Sequence, residues 1–325
     1  MGTMEVTEPR APSFEPADQA LLLLGRELQG SGYRFITTTP ASHRRVVERA
    51  QQQHGVLERV FGWSRSFARD ELPSRILALL DGAGELEHAN GAMRSGVRFS
   101  SLGSQLFVHS AFPTEEPDSV FFGPDTYRFA RTLRAALQGF APRDSCTVID
   151  IGAGSGAGAL HVAGLLAGKT LVQPILGDIN PRALRFSRVN AALNDIANVR
   201  VVLSDVFSDI DERGDLIIAN PPYLVDRSRR AYRHGGGPLG LELSIRIVEQ
   251  GLPRLHPGGR LVLYTGTPVI GGVDQFLSRV APCLAMSGRR YSYEEIDPDV
   301  FGEELEHPPY AGADRIVAVA LIVES

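Results

Sequence analysis

Cysteine is scarce: 325 residues hold two thiols, Cys146 and Cys283. Neither belongs to a Cys-x-x-Cys pair or a Cys/His cluster, so no zinc or other metal site is expected. Two isolated thiols suit a reducing compartment. Positive charge is not in excess either. The formal net charge is −5, which rules out a global basic field for nucleic acid and leaves only local basic patches open. No apolar run is long enough to span a bilayer. The first residues lack the apolar core of a secretory signal. Val6 stands where a myristoylation signal starting at Gly2 needs Ser or Thr. The expectation is a cytoplasmic protein with no membrane partner. What is present, 43% hydrophobic and 22% charged residues, is the composition of a soluble globular chain, long enough for two domains.

Residues 1–16 are polar, hold three prolines and show no periodicity, so a disordered tail is expected there. Residues 17–113 read as an accessory domain. Ala20, Leu21, Leu24 and Leu28 mark one helix face. Further helical patterns follow from Ala41 and from Ser74. Val97 to Ser100 and Gln105 to Val108 then read as a two-stranded ribbon. Helices with a β-ribbon suggest a winged-helix-like module, for substrate recognition or for capping and dimerisation. The basic run His43-Arg44-Arg45 reads as a solvated helix face. An acidic connector, Thr114 to Asp118, leads through Phe121-Phe122-Gly123-Pro124-Asp125-Thr126 into another helix. That segment is either a loop that folds over a ligand or a plain link.

From Thr147 onward, within residues 120–325, strands alternate with helices. This alternation predicts an α/β, doubly wound, mostly parallel sheet of seven strands. Its anchor is Thr147 to Gly158, TVIDIGAGSGAG, which reads as strand, tight turn and helix. Glycines allow the turn and let a ligand lie on bare peptide, and the helix start offers free N–H groups. Ligands in such sheets sit beyond the carboxyl ends of the strands. The candidate cofactor-binding residues are therefore Asp150, Gly152, Ala153, Gly154 and Gly156 after the first strand. Asp178, Ile179 and Asn180 follow the second, where a carboxylate suits ribose hydroxyls. Asp205 and Val206 follow the third, where a side chain can meet an adenine amino group. To this point a nicotinamide dinucleotide and S-adenosylmethionine fit equally.

The fourth strand ends in Asn220-Pro221-Pro222-Tyr223. Two prolines stiffen the turn and remove two donors, which fixes the direction of the Asn220 and Pro221 carbonyls. With the Asn220 side-chain oxygen they form a set of acceptors for both protons of a planar amino group. Tyr223 is expected to stack on a flat conjugated group beside it. An amide or exocyclic nitrogen is a weak nucleophile, and drawing on its protons while holding it in line restores reactivity without a strong base. Asn220, Pro221, Pro222 and Tyr223 are the candidate catalytic residues, with Asn220 also facing the cofactor. A nicotinamide oxidoreductase is the alternative, but no Tyr-x-x-x-Lys proton donor is evident. A cofactor-binding scaffold without turnover is a third reading.

Together these segments resemble class I S-adenosylmethionine-dependent methyltransferases that carry the Asn/Asp-Pro-Pro-aromatic motif. They are most similar to the HemK/PrmC-type protein-glutamine N-methyltransferases. The shared stretches are VIDIGAGSG, GDINPRAL, DLIIANPPY and GGGPLGLEL. The resemblance implies S-adenosyl-L-methionine as cofactor, with Gly152 and Gly154 near its methionine part, Asp178 on the ribose and Asp205 at the adenine. It implies Asn220 to Tyr223 around the target nitrogen of a protein glutamine, an RNA base or a small metabolite. The family's Pro-Arg-Pro-Glu-Thr-Glu stretch is replaced here by Gly123-Pro124-Asp125-Thr126-Tyr127. Between Asp226 and His234 lie Arg227, Arg229, Arg230 and Arg233, expected beside the target pocket as a solvated loop, an RNA phosphate grip or a grip on an acidic protein.

Overall fold

The computed structural model describes residues 14–49, 54–89, 91–228 and 230–325. Most of the tail expected over 1–16 lies outside the described residues. Its last residue, Pro16, instead opens the first helix, where its fixed φ suits the N-terminal turn. That helix, α1 (Pro16–Gly30), buries Leu21, Leu24 and Leu28 completely. α2 (Pro40–Val47) starts at Thr39, whose hydroxyl accepts from the Ser42 N–H. His43 does not share the solvated face expected of it. It is 5% exposed, whereas Arg44 and Arg45 point to solvent. α3 (Ser74–Gly82) buries Ile76, Leu77 and Leu80.

Two hairpins follow. β1 (Leu86–Ala89) pairs with β2 (Ala92–Ser95), and β3 (Val97–Leu102) with β4 (Gln105–Ser110). The second is the expected ribbon. The first escapes a sequence reading because LEHA and AMRS contain no β-branched or aromatic residue.

α4 (Pro124–Ala136) leads into the main sheet. Its elements are β5 (Ser145–Ile151), α5 (Ala157–Leu166), β6 (Leu171–Asp178), α6 (Pro181–Leu193), β7 (Arg200–Leu203), β8 (Gly214–Ala219), α7 (Glu242–Gly251), β9 (Leu255–Ile270), β10 (Val273–Asp274), α8 (Gln275–Ser287), β11 (Arg290–Asp297) and β12 (Arg315–Glu324). The strand order is β11-β12-β9-β8-β5-β6-β7, and the two-residue β10 folds back on β9. β5 to β9 run parallel, and β12 is antiparallel to both of its neighbours. This is the seven-stranded, mostly parallel sheet that the strand-helix alternation predicts.

Alternate side chains of each strand feed two cores. Val148, Leu216, Ile218 and Val262 meet α4 and α5, while Ile149, Ile217, Leu261 and Leu263 meet α7 and α8. Burial on both faces explains the unbroken apolar run Leu216-Ile217-Ile218-Ala219. The chain moves from β5 outward to β7 and then returns to β8 on the other side of β5, so the crevice between the ends of β5 and β8 is the switch point of the sheet.

The N-terminal part does not have a core of its own. Leu21, Leu24, Phe61, Phe99 and Leu106 pack with Ala183, Phe186, Val189 and Leu193 of α6. Asn190 and Asn194, one turn apart on α6, hydrogen-bond the N–H and carbonyl groups of Val108 and Leu106. They satisfy the edge of β4 that no strand covers. Glu85, 5% exposed, is held by Arg182 and Arg185, and Asp18 also pairs with Arg185. Among the described residues no helix is long and apolar enough to cross a membrane.

Candidate active site

The turn after β5 is built from backbone. Gly152, Gly154 and Gly156 have φ of 69°, 56° and 76°, a region that only glycine enters freely. The Gly152 and Ala153 N–H groups donate to the Gly177 carbonyl at 2.8 and 3.1 Å. The Gly154 N–H donates to Asp178 Oδ2 at 2.8 Å. A Cβ on Gly152 would meet nothing within 4 Å, and one on Gly154 only Val120 at 4.0 Å. The space above the turn is open cleft. Beneath it, Asp150 accepts from the Ala159 N–H at 2.9 Å and so ties the start of α5 to β5. Burial pushes its pKa up to about 7, opposed by the Ala159 N–H and reinforced by the charge of Asp178.

Asp178 ends β6, as expected. Its Oδ1 accepts from the Asn180 N–H at 2.9 Å, and its Oδ2 is the partner of Gly154. Burial raises its pKa, while the N–H groups of Asn180, Gly154 and Ile179 lower it. Ile179 lines the cleft and is 57% exposed, an apolar surface on offer to a ligand. The Asn180 side chain has other duties. Its Oδ1 caps α6 through the Arg182 N–H, and its Nδ2 donates to the Asp118 carbonyl. Asp205 lies on the rim and pairs with Arg246 at 3.0 Å. Val206, buried, holds a positive φ of 55°, strain of the kind that gathers at functional sites.

Asn220 and Pro222 line the same cleft as the glycine turn. The Asn220 side chain is half-buried, and no hydrogen bond to it exists among the described residues. Pro221 is buried below them. Tyr223 departs from expectation. Its ring is 6% exposed and lies in the core behind the cleft, edge-on to Phe301 and so close to β9 that a Cβ on Gly266 would lie 2.3 Å from it. Tyr223 is therefore not a platform for an acceptor. Its phenol donates to Asp125 Oδ2, while Asp125 Oδ1 accepts from Tyr264 at 3.0 Å and from Arg128 at 2.9 Å. Arg128 continues to Asp297 at 2.8 Å. An aromatic ring in a core with its hydroxyl satisfied is a stable bolt. Here it fixes the diproline corner to α4 and β9. Asp125 belongs to the segment that departs from the family's stretch, and the next residue, Thr126, faces the cleft.

Two glycines bring the following loop against this corner. A Cβ on Gly235 would lie 1.9 Å from the Gly240 carbonyl oxygen and 2.6 Å from that of Pro222. The Gly235 N–H donates to the Leu224 carbonyl at 2.9 Å. The arginines of the loop are mostly engaged. Arg230 chelates Asp226, and Arg233 pairs with Glu304. Arg227 is exposed, and Arg229 lies outside the described residues.

The sequence reading held Phe121 only within a segment that either folds over a ligand or is a plain link, and it missed Tyr232. Phe121 and Tyr232 both line the cleft, and their rings stack with centroids 5.9 Å apart and planes 7° from parallel. Tyr232 donates to the Thr114 carbonyl at 2.7 Å, and the Ala231 N–H to that of Pro117 at 3.4 Å. The lip is thus stitched from two loops far apart in sequence. The cleft opens to solvent at its mouth.

The Methyltransferase small domain family model matches residues 130–269. The release factor glutamine methyltransferase of Cereibacter sphaeroides is 35% identical over 44% of this chain and 56% of its own length. That of Rhodopirellula baltica is 33% identical over 42% of this chain and 49% of its own. The chain thus spans about half the length of these two relatives. The release factor glutamine methyltransferase of Moorella thermoacetica is 30% identical over 83% of this chain and 90% of its own length. With glycine turn, Asp178 and diproline corner on one cleft and a relative 30% identical over 90% of its length, the chain belongs to the release factor glutamine methyltransferase family, the HemK/PrmC type.

Proposed function

We propose that the protein is an S-adenosylmethionine-dependent N-methyltransferase acting on a planar amide or exocyclic amino nitrogen. The observation that carries this reading is the shared cleft. Asn220, with a side-chain amide that no hydrogen bond engages among the described residues, faces the same space as Gly152 and Gly154. The fit to the cofactor rests on that open space, which side chains at Gly152 and Gly154 would fill. It rests also on Asp178, whose two oxygens are oriented by backbone donors and keep lone pairs for ribose hydroxyls. When bound, S-adenosylmethionine supplies an electrophilic methyl group.

The chain's own residues do the rest. Asn220 Oδ1 and the Asn220 and Pro221 carbonyls accept from the acceptor's amino protons and raise the nitrogen's electron density. The Tyr223–Asp125 bolt keeps those carbonyls in place. Phe121 and Tyr232 flank the entrance and shield it from water. No side chain needs to act as a strong base.

Of the acceptor classes, a polypeptide amide suits the rim best. RNA phosphate needs free cations. Here Arg230 and Arg233 are neutralised within the fold, and Glu115, Glu116 and Asp118 are exposed on the connector to which the arginine loop is stitched. The acceptor names of the three relatives, release factor glutamines, agree with this.

The test is transfer of labelled methyl from the cofactor into cell lysate, followed by protease or RNase. Label lost to protease supports the reading, and label lost to RNase replaces the amide with a base. Calorimetry showing tight NAD binding and no S-adenosylmethionine binding would end it.

A further inference from the structure

Every buried side-chain nitrogen or oxygen that lacks a partner among the described residues falls in one place. The four are Arg98 Nε, Arg98 Nη2, His43 Nδ1 and Trp63 Nε1. They belong to α2, β3 and the turn after Glu58–Gly62, on the face of the β3–β4 hairpin opposite α6. The His43 and Trp63 rings are 5.4 Å apart, Trp63 and Phe35 5.0 Å, and His43 and Phe112 4.3 Å. The Arg98 guanidinium lies 5.1 Å from the Phe35 ring. These nitrogens therefore sit in a box of aromatic walls. Trp63 and Phe112, both half-exposed, form its outer side.

Arg98 is 4% exposed and His43 5%. A guanidinium so deep in apolar surroundings is costly unless a negative charge meets it, and among the described residues no carboxylate pairs with it. Burial pushes its pKa down to about 10, and the only groups that oppose the shift are the phenols Tyr33 and Tyr127. His43 is pushed down to about 4 by burial and then by Arg98, so it stays neutral and adds no compensating charge of either sign. The cation–π contact with Phe35 offsets part of the cost only.

The two unpartnered nitrogens of Arg98 are also the right pair. Nε–H and Nη2–H are the parallel donors on one side of the guanidinium, the fork that matches two oxygens of one anion. We propose that this box is a binding site for a small oxyanion, held bidentately by Arg98 with Trp63 Nε1–H as a third donor. The ligand presents a pair of anionic oxygens, as a carboxylate or a phosphate does. The site is separate from the methyl-transfer cleft and does not depend on the reading of that cleft. It lies one layer behind the lip, because His109, opposite Arg98 in the hairpin, stacks on Phe122 at 5.0 Å.

The test is thermal unfolding of the full chain titrated with sodium acetate and, separately, sodium phosphate. Sodium chloride at equal ionic strength serves as reference. The wild type is expected to gain a saturable rise in Tm with at least one of the two anions, and the arm that responds identifies the ligand class. Arg98→Met is expected to lose that rise entirely while melting, without added anion, no lower than the wild type. If Arg98→Met does not fold, Trp63→Phe replaces it, with half-saturation expected at about fivefold higher anion, the loss of one hydrogen bond. No saturable rise in the wild type, or an equal rise in either variant, overturns the proposal.

Discussion

The two halves of the cleft are made of different material. The half under the glycines is backbone. Its shape comes from three left-handed glycines, the Gly177 carbonyl and peptide N–H groups that orient Asp178. The acceptor half is side chain. Phe121 stacks on Tyr232, Tyr223 is bolted to Asp125, and Asn220 waits between them. A backbone cradle needs the left-handed φ of its glycines but is indifferent to most neighbours. A side-chain lip can be retuned residue by residue. Divergence in substrate within such a family is therefore expected at the lip, with the cradle held constant.

Variants should respect this division. The largest effect is expected from Gly154→Val, which puts a β-branched residue at a φ of 56°. Cofactor binding by calorimetry should be lost, and activity with it. Asn220→Ala should leave cofactor affinity within a few-fold of wild type and lower methyl transfer by about 100- to 1,000-fold, the scale of removing one oriented dipole. Equal loss of cofactor binding would show that the two halves are not separable. Tyr223→Phe removes the phenol from Asp125 and should cost about 2 kcal/mol of stability in denaturant melts. Turnover should fall more than acceptor KM rises. A KM change alone would return Tyr223 to the role of platform. Tyr232→Ala should raise acceptor KM about tenfold, the upper range of a stacking contact, without changing cofactor binding.

The dependence on pH tests the cradle half. Asp150 has a folded pKa raised to about 7, so the folded state binds more protons than the unfolded one between about pH 4 and 7. Stability should fall as pH rises through that window. Asp150→Asn keeps an acceptor for the Ala159 N–H and should remove the slope, by at most about 1.4 kcal/mol per pH unit. Tm measured from pH 5 to 8 for both proteins checks this. Parallel curves would assign the pH dependence to another group.

The same division explains what could be read from the chain. Local segments carried the sheet, because Val148-Ile149 and Leu216 to Ala219 are apolar runs bounded by turns. The cradle was legible for the same reason: its glycines fall at alternate positions of one short segment. The lip was not, because its contacts join the linker before α4 to a loop beyond β8. No period or spacing reports that Phe121 meets Tyr232. Tyr223 misled because its motif fixes its position and not its direction. The ring turns inward because Gly266 leaves room for it and Asp125, Tyr264 and Arg128 offer a polar anchor there. His43 misled for a related reason: its neighbours in sequence are exposed arginines, and it is Trp63 and Phe112, distant in sequence, that cover it.

The clasp of Asn190 and Asn194 on β4 has a consequence for engineering and for evolution. Severed at the linker, neither piece is self-sufficient. One departs with a bare strand edge at Leu106 and Val108, the other with Phe186, Val189 and Leu193 turned to water. The N-terminal module is consequently no cassette to be swapped alone between relatives; a graft must bring α6 along.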